Sequence, residues 1–152
     1  MVIGQIDRPT PKVDFGHEVE HGAVAHVYFE NGVRAFIEQG DLAPPPYAFQ
    51  LVGTDGTISL NAPDGHNIRV ITTDGERDVD VPTTNAKRAE VDAILAWLDG
   101  GPAHPCRGEN AIKTHEILMA IYESSRTHAG IRLPLDNDDF PLIQMIAEGD
   151  VA

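Results

Sequence analysis

Cysteine occurs once in the 152 residues, at Cys106, lysine three times, and aromatic residues make up only 6% of the chain. A single cysteine excludes an internal disulfide framework and a cysteine-only metal cluster. No apolar run approaches the length of a membrane-spanning helix, and the N-terminus lacks the charged-then-apolar order of a signal peptide. The default expectation is therefore a cytoplasmic protein without a membrane partner. Basic charge is scarce too: 11 Lys and Arg stand against 24 Asp and Glu, a formal charge of −13. Such a chain has no basic face for phosphate, which argues against a nucleic-acid partner. The sequence also contains no G-x-G-x-x-G, P-loop, H-E-x-x-H or G-x-S-x-G motif, so no dinucleotide-binding turn, zinc-protease helix or nucleophile elbow is expected.

What is present reads as ordinary globular protein, with 41% hydrophobic and 23% charged residues. A chain of this length buries about 70% of its unfolded surface and needs no covalent staple. Residues 1–21, with Pro9 and Pro11, read as an extended lead-in, and residues 22–152 as one domain. From Ala23 the pattern becomes strand-like. Val24, His26 and Tyr28 alternate with Ala25, Val27 and Phe29, and Asn31-Gly32 then separates this run from Val33–Glu38. Asn-Gly between two such runs predicts a hairpin with a type I′ turn. Pro44-Pro45-Pro46 marks a loop, and further turns fall at Thr54–Thr57, Pro63–Gly65 and Thr73–Glu76. About six strands in an antiparallel meander follow from this spacing.

Helical periodicity comes afterwards. Thr84 or Asn85 caps a helix through Leu98 with Val91, Ile94, Leu95 and Leu98 on one face, and Gly100-Gly101-Pro102 ends it. A longer helix runs from about Asn110 to His128, with Ala111, Ile117, Leu118 and Ile121 as its apolar stripe, and a last one covers Pro141–Ala147. Strands followed by helices predict an α+β fold: a largely antiparallel open sheet with helices packed on one face. Apolar residues on both faces of the first hairpin predict that the other face is covered by a second copy, as a dimer or other homo-oligomer.

Three groups of side chains invite a chemical reading. His17 and His21 share a face if residues 17–21 are extended, which would suit a metal, but no third ligand is defined; a solvated approach to the first strand is the simpler account. Cys106 lies near His104, Arg107, Glu109 and His115, yet no oxyanion site accompanies it, so a catalytic thiol is not expected. The run Asp136-Asn137-Asp138-Asp139 fails as a calcium loop, since an EF-hand needs glycine at its sixth position, where Pro141 stands, and glutamate at its twelfth, where Ala147 stands. It reads as a solvated cap for the last helix.

The stretch Gly108-Glu109-Asn110-Ala111, then Glu116 through Glu123-Ser124-Ser125-Arg126, then Leu133-Pro134-Leu135, resembles the end of the Gfo/Idh/MocA oxidoreductases. These are relatives of glucose–fructose oxidoreductase and inositol dehydrogenase. Phe29-Glu30-Asn31-Gly32-Val33, Gly53-Thr54-Asp55-Gly56-Thr57-Ile58 and Ala96-Trp97-Leu98-Asp99-Gly100-Gly101 follow the family in order. The resemblance implies an α+β C-terminal domain that builds a sugar- or polyol-binding wall and makes subunit contacts through its sheet. It also implies an NAD or NADP site on a Rossmann domain that has no counterpart in this sequence. No cofactor is therefore expected in this chain, and no catalytic residue carries over. His104, Arg107, Glu109 and His115 are the expected contacts to a small sugar or polyol, because they gather hydrogen-bonding groups beside a helix start. Two other readings stay open: an accessory subunit that completes the site of a separate Rossmann-domain partner, and a non-enzymatic homo-oligomeric binding module.

Overall fold

The structure, a computed structural model, describes residues 1–41, 49–60, 68–81 and 84–152. Pro44-Pro45-Pro46 and Pro63–Gly65 lie outside the described residues. The chain divides into two compact units, Met1–Leu42 with Pro105–Ala152, and Ala43–His104. The described residues form antiparallel sheets and three helices, an α+β arrangement. No helix among the described residues is long and apolar enough to cross a membrane.

The first unit holds β1 (Val2–Asp7), β2 (Val13–Asp14), β3 (His17–Glu18), β4 (Gly22–Tyr28) and β5 (Arg34–Gly40). Its helices are α2 (Gly108–Thr127) and α3 (Pro141–Glu148). Strands β1, β4 and β5 form one sheet in the order β1-β4-β5, and β2 and β3 pair as a small hairpin. Residues 1–21 are thus more than a lead-in: β1 pairs with β4 in the register Val2↔Val27 to Asp7↔Gly22. Alternation along the strands sorts the side chains. Val2, Ile6, Ala25 and Val27 point inward, where they pack with Ala120, Ile121, Leu142 and Met145 to form the core. Gly4 lies on that inward face because α2 approaches closely: a Cβ there would sit 2.8 Å from Ile121 Cγ2 and 3.2 Å from Ile121 Cα.

The β4–β5 hairpin forms where Asn31-Gly32 predicts it, but with a different turn. Phe29 and Val33 close the loop, Gly32 N–H donates to the Phe29 carbonyl at 3.1 Å, and Asn31 Oδ1 accepts from Val33 N–H at 3.1 Å. In this loop only Gly32 has positive φ, at 86°. This is a three-residue loop with glycine in the left-handed position, whereas type I′ would need Asn31 there as well.

The α2 helix starts two residues before the predicted Asn110, and of the predicted stripe Ile117 and Ile121 pack on the core. Ala111 and Leu118 are exposed, whereas Ala120, Ile121, Glu123, Ser124 and Ser125 are buried. The serines have a reason to be inside. Ser124 Oγ accepts from Gly4 N–H at 2.9 Å and donates to the Ala129 carbonyl at 2.6 Å, and Ser125 Oγ accepts from Ile6 N–H at 3.2 Å. Val2 meanwhile exchanges both backbone hydrogen bonds with Ile131, at 2.7 and 2.8 Å. The amides of β1 that face away from β4 are thereby paired.

The second unit holds β6 (Phe49–Gly53), β7 (Gly56–Leu60), β8 (Ile68–Thr72) and β9 (Gly75–Val79), in the order β6-β7-β8-β9, and α1 (Ala86–Leu98). The single meander expected from turn spacing is therefore divided between two sheets. Two-residue turns at Thr54-Asp55 and Thr73-Asp74 fall where predicted, closed by Gly53↔Gly56 and Thr72↔Gly75. Asn85 caps α1, its Oδ1 accepting from Arg88 N–H at 3.0 Å. The apolar side Val91, Ile94, Leu95 and Leu98 is exposed: periodicity identifies an amphipathic face without saying what covers it.

Candidate functional site

The residues expected to contact a sugar do not all converge. Arg107 is the N-cap of α2, and Glu109 lies in its first turn, where a carboxylate suits the positive end of the helix dipole. Arg107 Nε and Glu109 Oε2 are 3.4 Å apart, and Asn110 Nδ2 donates to the Pro105 carbonyl at 2.9 Å. His115, six residues beyond Glu109, is exposed about 120° further around the helix. His104 is the last residue of the other compact unit. The structure thus brings together Arg107 and Glu109 at the start of α2, and His115 does not join them.

His17 is exposed in β3, and His21 lies beyond the end of that strand. Among the described residues no group of three His, Cys, Asp or Glu is arranged to hold a metal. The acidic run at 136–139 works as a brace: Asn137 Nδ2 donates to Glu123 Oε2 at 2.9 Å and to Gln144 Oε1 at 3.2 Å.

Two further features of the first unit stand out, the first not visible in the sequence and the second only partly so. One is a polar knot under the β2–β3 hairpin. Buried Arg8 pairs with Glu18, and its Nε donates to the Val19 carbonyl at 2.9 Å. Lys12 Nζ donates to Asp41 Oδ2 at 2.5 Å, which holds the Asp41 carboxyl below its usual range. Tyr122 donates its hydroxyl proton to Glu20 Oε2 at 2.5 Å; burial, then this carboxylate, push the phenol far up. Arg8 Nη1 and His21 Nδ1 are buried without a hydrogen-bond partner.

The other feature is the outer face of the β1-β4-β5 sheet. Ile3 is 45% exposed, Val24 43% and Phe36 61%. His26 stands between them, its ring centroid 5.0 Å from that of Phe36 in an edge-to-face contact. An open groove of about 570 Å³ runs over this face, lined by Ile3, Gln5, Val24, His26, Phe36 and His128 among others. Alternation in β4 does place Val24, His26 and Tyr28 together; Ile3 and His128 required the long-range pairing of β1 and α2.

No protein-family model and no curated protein matches the sequence. Solved structures do match. An assigned oxidoreductase from Thermotoga maritima superposes with a TM-score of 0.66 at 22% identity over 84% of this chain. The WlbA dehydrogenase of Bordetella pertussis, solved with NADH and UDP-GlcNAcA, gives 0.63 at 21% identity over 89%. An oxidoreductase from Agrobacterium radiobacter, solved with NAD+, L-tartaric acid and magnesium, gives 0.62 at 19% over 84%. The chain shares the fold of part of these oxidoreductase chains. It spans 38%, 39% and 41% of the lengths of the Thermotoga, Bordetella and Agrobacterium chains. The sequence contains no G-x-G-x-x-G motif.

Proposed function

We propose that this chain supplies the substrate-side and self-association part of an NAD(P)-linked oxidoreductase for a sugar or polyol, and does not carry out redox turnover by itself. The observation that carries the reading is the fold, which runs over 89% of this chain in a dehydrogenase solved with NADH and a nucleotide sugar. The lack of a G-x-G-x-x-G turn in the sequence is what the second half of the proposal rests on. The bare apolar face of the β1-β4-β5 sheet supports self-association, because a patch with Ile3, Val24 and Phe36 exposed favours removal from water. Arg107 and Glu109 at the start of α2 are the proposed polar contacts to hydroxyl groups. The chain remains in the cytoplasm in this reading.

Titration of the purified chain with NADH, followed by nicotinamide fluorescence, tests the cofactor half. No saturable change is expected; a micromolar affinity would overturn it. Light scattering at micromolar concentration tests association: a dimer is expected, and a monomer contradicts the reading.

A further inference from the structure

The outer face of the β1-β4-β5 sheet carries its charges in an order that fits one way of pairing with itself. Strand pairing stacks its side chains in three rows. The middle row is Ile3, His26 and Phe36; on one side lies Gln5, Val24 and Glu38. On the other lies Met1, Tyr28 and Arg34, with Met1 joined to Tyr28 by backbone bonds of 2.8 and 2.9 Å and the Arg34 guanidinium over the Tyr28 ring at 5.6 Å. The middle row is thus apolar apart from one imidazole, and the flanking rows end on β5 in opposite charges.

Two such faces stack in register about a two-fold axis lying between the sheets. An axis along the middle row turns the second copy end for end. Arg34 of each copy then stands over Glu38 of the other, Phe36 over Phe36, and His26 over His26. An axis along the strands instead sets Arg34 over Met1 and Glu38 over Gln5, and pairs neither charge. Charge complementarity therefore selects the first arrangement, an isologous contact in which each bond is made twice.

This arrangement rests on the self-association proposed above and adds a control to it. We infer that two copies pair about the Ile3–His26–Phe36 row, and that protonation of His26 opens the pair. An imidazole taken out of water favours its neutral form, and two protonated rings on the axis repel each other. The charged and titratable groups facing His26 are Glu38 and Arg34 from β5, the Met1 amino group beside β1, and His128 across the groove. In the pair Glu38 is engaged by Arg34 of the other copy, which leaves the two imidazoles without a compensating carboxylate.

Sedimentation velocity of the whole chain from pH 8 to pH 5.5 tests this, with circular dichroism at each pH to confirm folding. The wild type is expected to be dimeric at pH 8, with a dissociation constant that rises at least about ten-fold between pH 8 and pH 5.5. His26→Leu and His26→Gln are expected to abolish the pH dependence, and His128→Gln to retain it. Arg34→Glu weakens the pair, and adding Glu38→Arg restores it. A monomeric wild type at pH 8 overturns self-association itself. A dimer equally tight at both pH values, or pH dependence that persists in both His26 variants, overturns the switch alone. A dimer indifferent to Arg34→Glu overturns the axis.

Discussion

Replacing Ser124 with alanine removes one oxygen atom from a site that is 2% exposed, and that atom serves two partners. Gly4 N–H loses its 2.9 Å acceptor, and the Ala129 carbonyl loses its 2.6 Å donor. A donor left buried without a partner costs about 1–3 kcal/mol, and loss of an ordinary hydrogen bond about 1 kcal/mol. Alanine returns about 0.5 kcal/mol through its higher helix propensity. The desolvation cost dominates, giving a net destabilisation of about 2–3 kcal/mol. With a urea m-value of about 2 kcal/mol/M, the unfolding midpoint falls by about 1–1.5 M. Native-state hydrogen exchange localises the effect: the Gly4 amide should lose protection beyond what the global destabilisation accounts for, whereas Val2, paired with Ile131, should not. An unchanged midpoint together with unchanged Gly4 protection would refute the argument that this hydroxyl completes the strand.

Gly4→Ala places a methyl group 2.8 Å from Ile121 Cγ2 and 3.2 Å from its Cα. The helix backbone cannot rotate away, so a cost of about 1–3 kcal/mol from overpacking outweighs the gain of about 0.4–1 kcal/mol from a stiffer unfolded chain; a urea midpoint at or above wild type contradicts this. Glu123 is held below the usual carboxylate range by the Arg126 guanidinium, at 2.7 and 2.9 Å, and by Asn137. Its contribution is present above the unfolded value near pH 4.3 and is lost as pH falls through the lower folded value. Glu123→Gln should therefore lower the urea midpoint at pH 7 and approach wild type at pH 3; a constant difference across that range excludes the linkage.

Local signals carried much of the fold. Alternation in β4 places Val24 and His26 on one face and Ala25 and Val27 on the other, as the core and the open face require. Asn85 shows its cap in the sequence because the bond it makes spans only three residues. What escaped depends on distant partners. Gly4 interrupts the apolar alternation of β1, and its reason for being glycine is Ile121, more than a hundred residues away. Ser124 and Ser125 fall outside any hydrophobic stripe, yet they are buried because a strand needs their oxygens. The candidate contacts suffered from the same limit. Proximity along the chain joined His104 and His115 to Arg107 and Glu109, whereas the helical turn carries His115 away and the unit boundary falls directly after His104.

The hydroxyls of Ser124 and Ser125, with Ile131, have a consequence for how copies of this chain combine. A strand margin with unused amides is a template on which another chain can add by backbone pairing, and such growth has no natural end. Along β1 that margin is already consumed by Ile131, Ser124 and Ser125 in turn. An apolar face that favours contact thus sits beside a margin that cannot be extended, so association through that face need not propagate into a filament on the β1 side. Loss of either serine would reopen that side to aggregation.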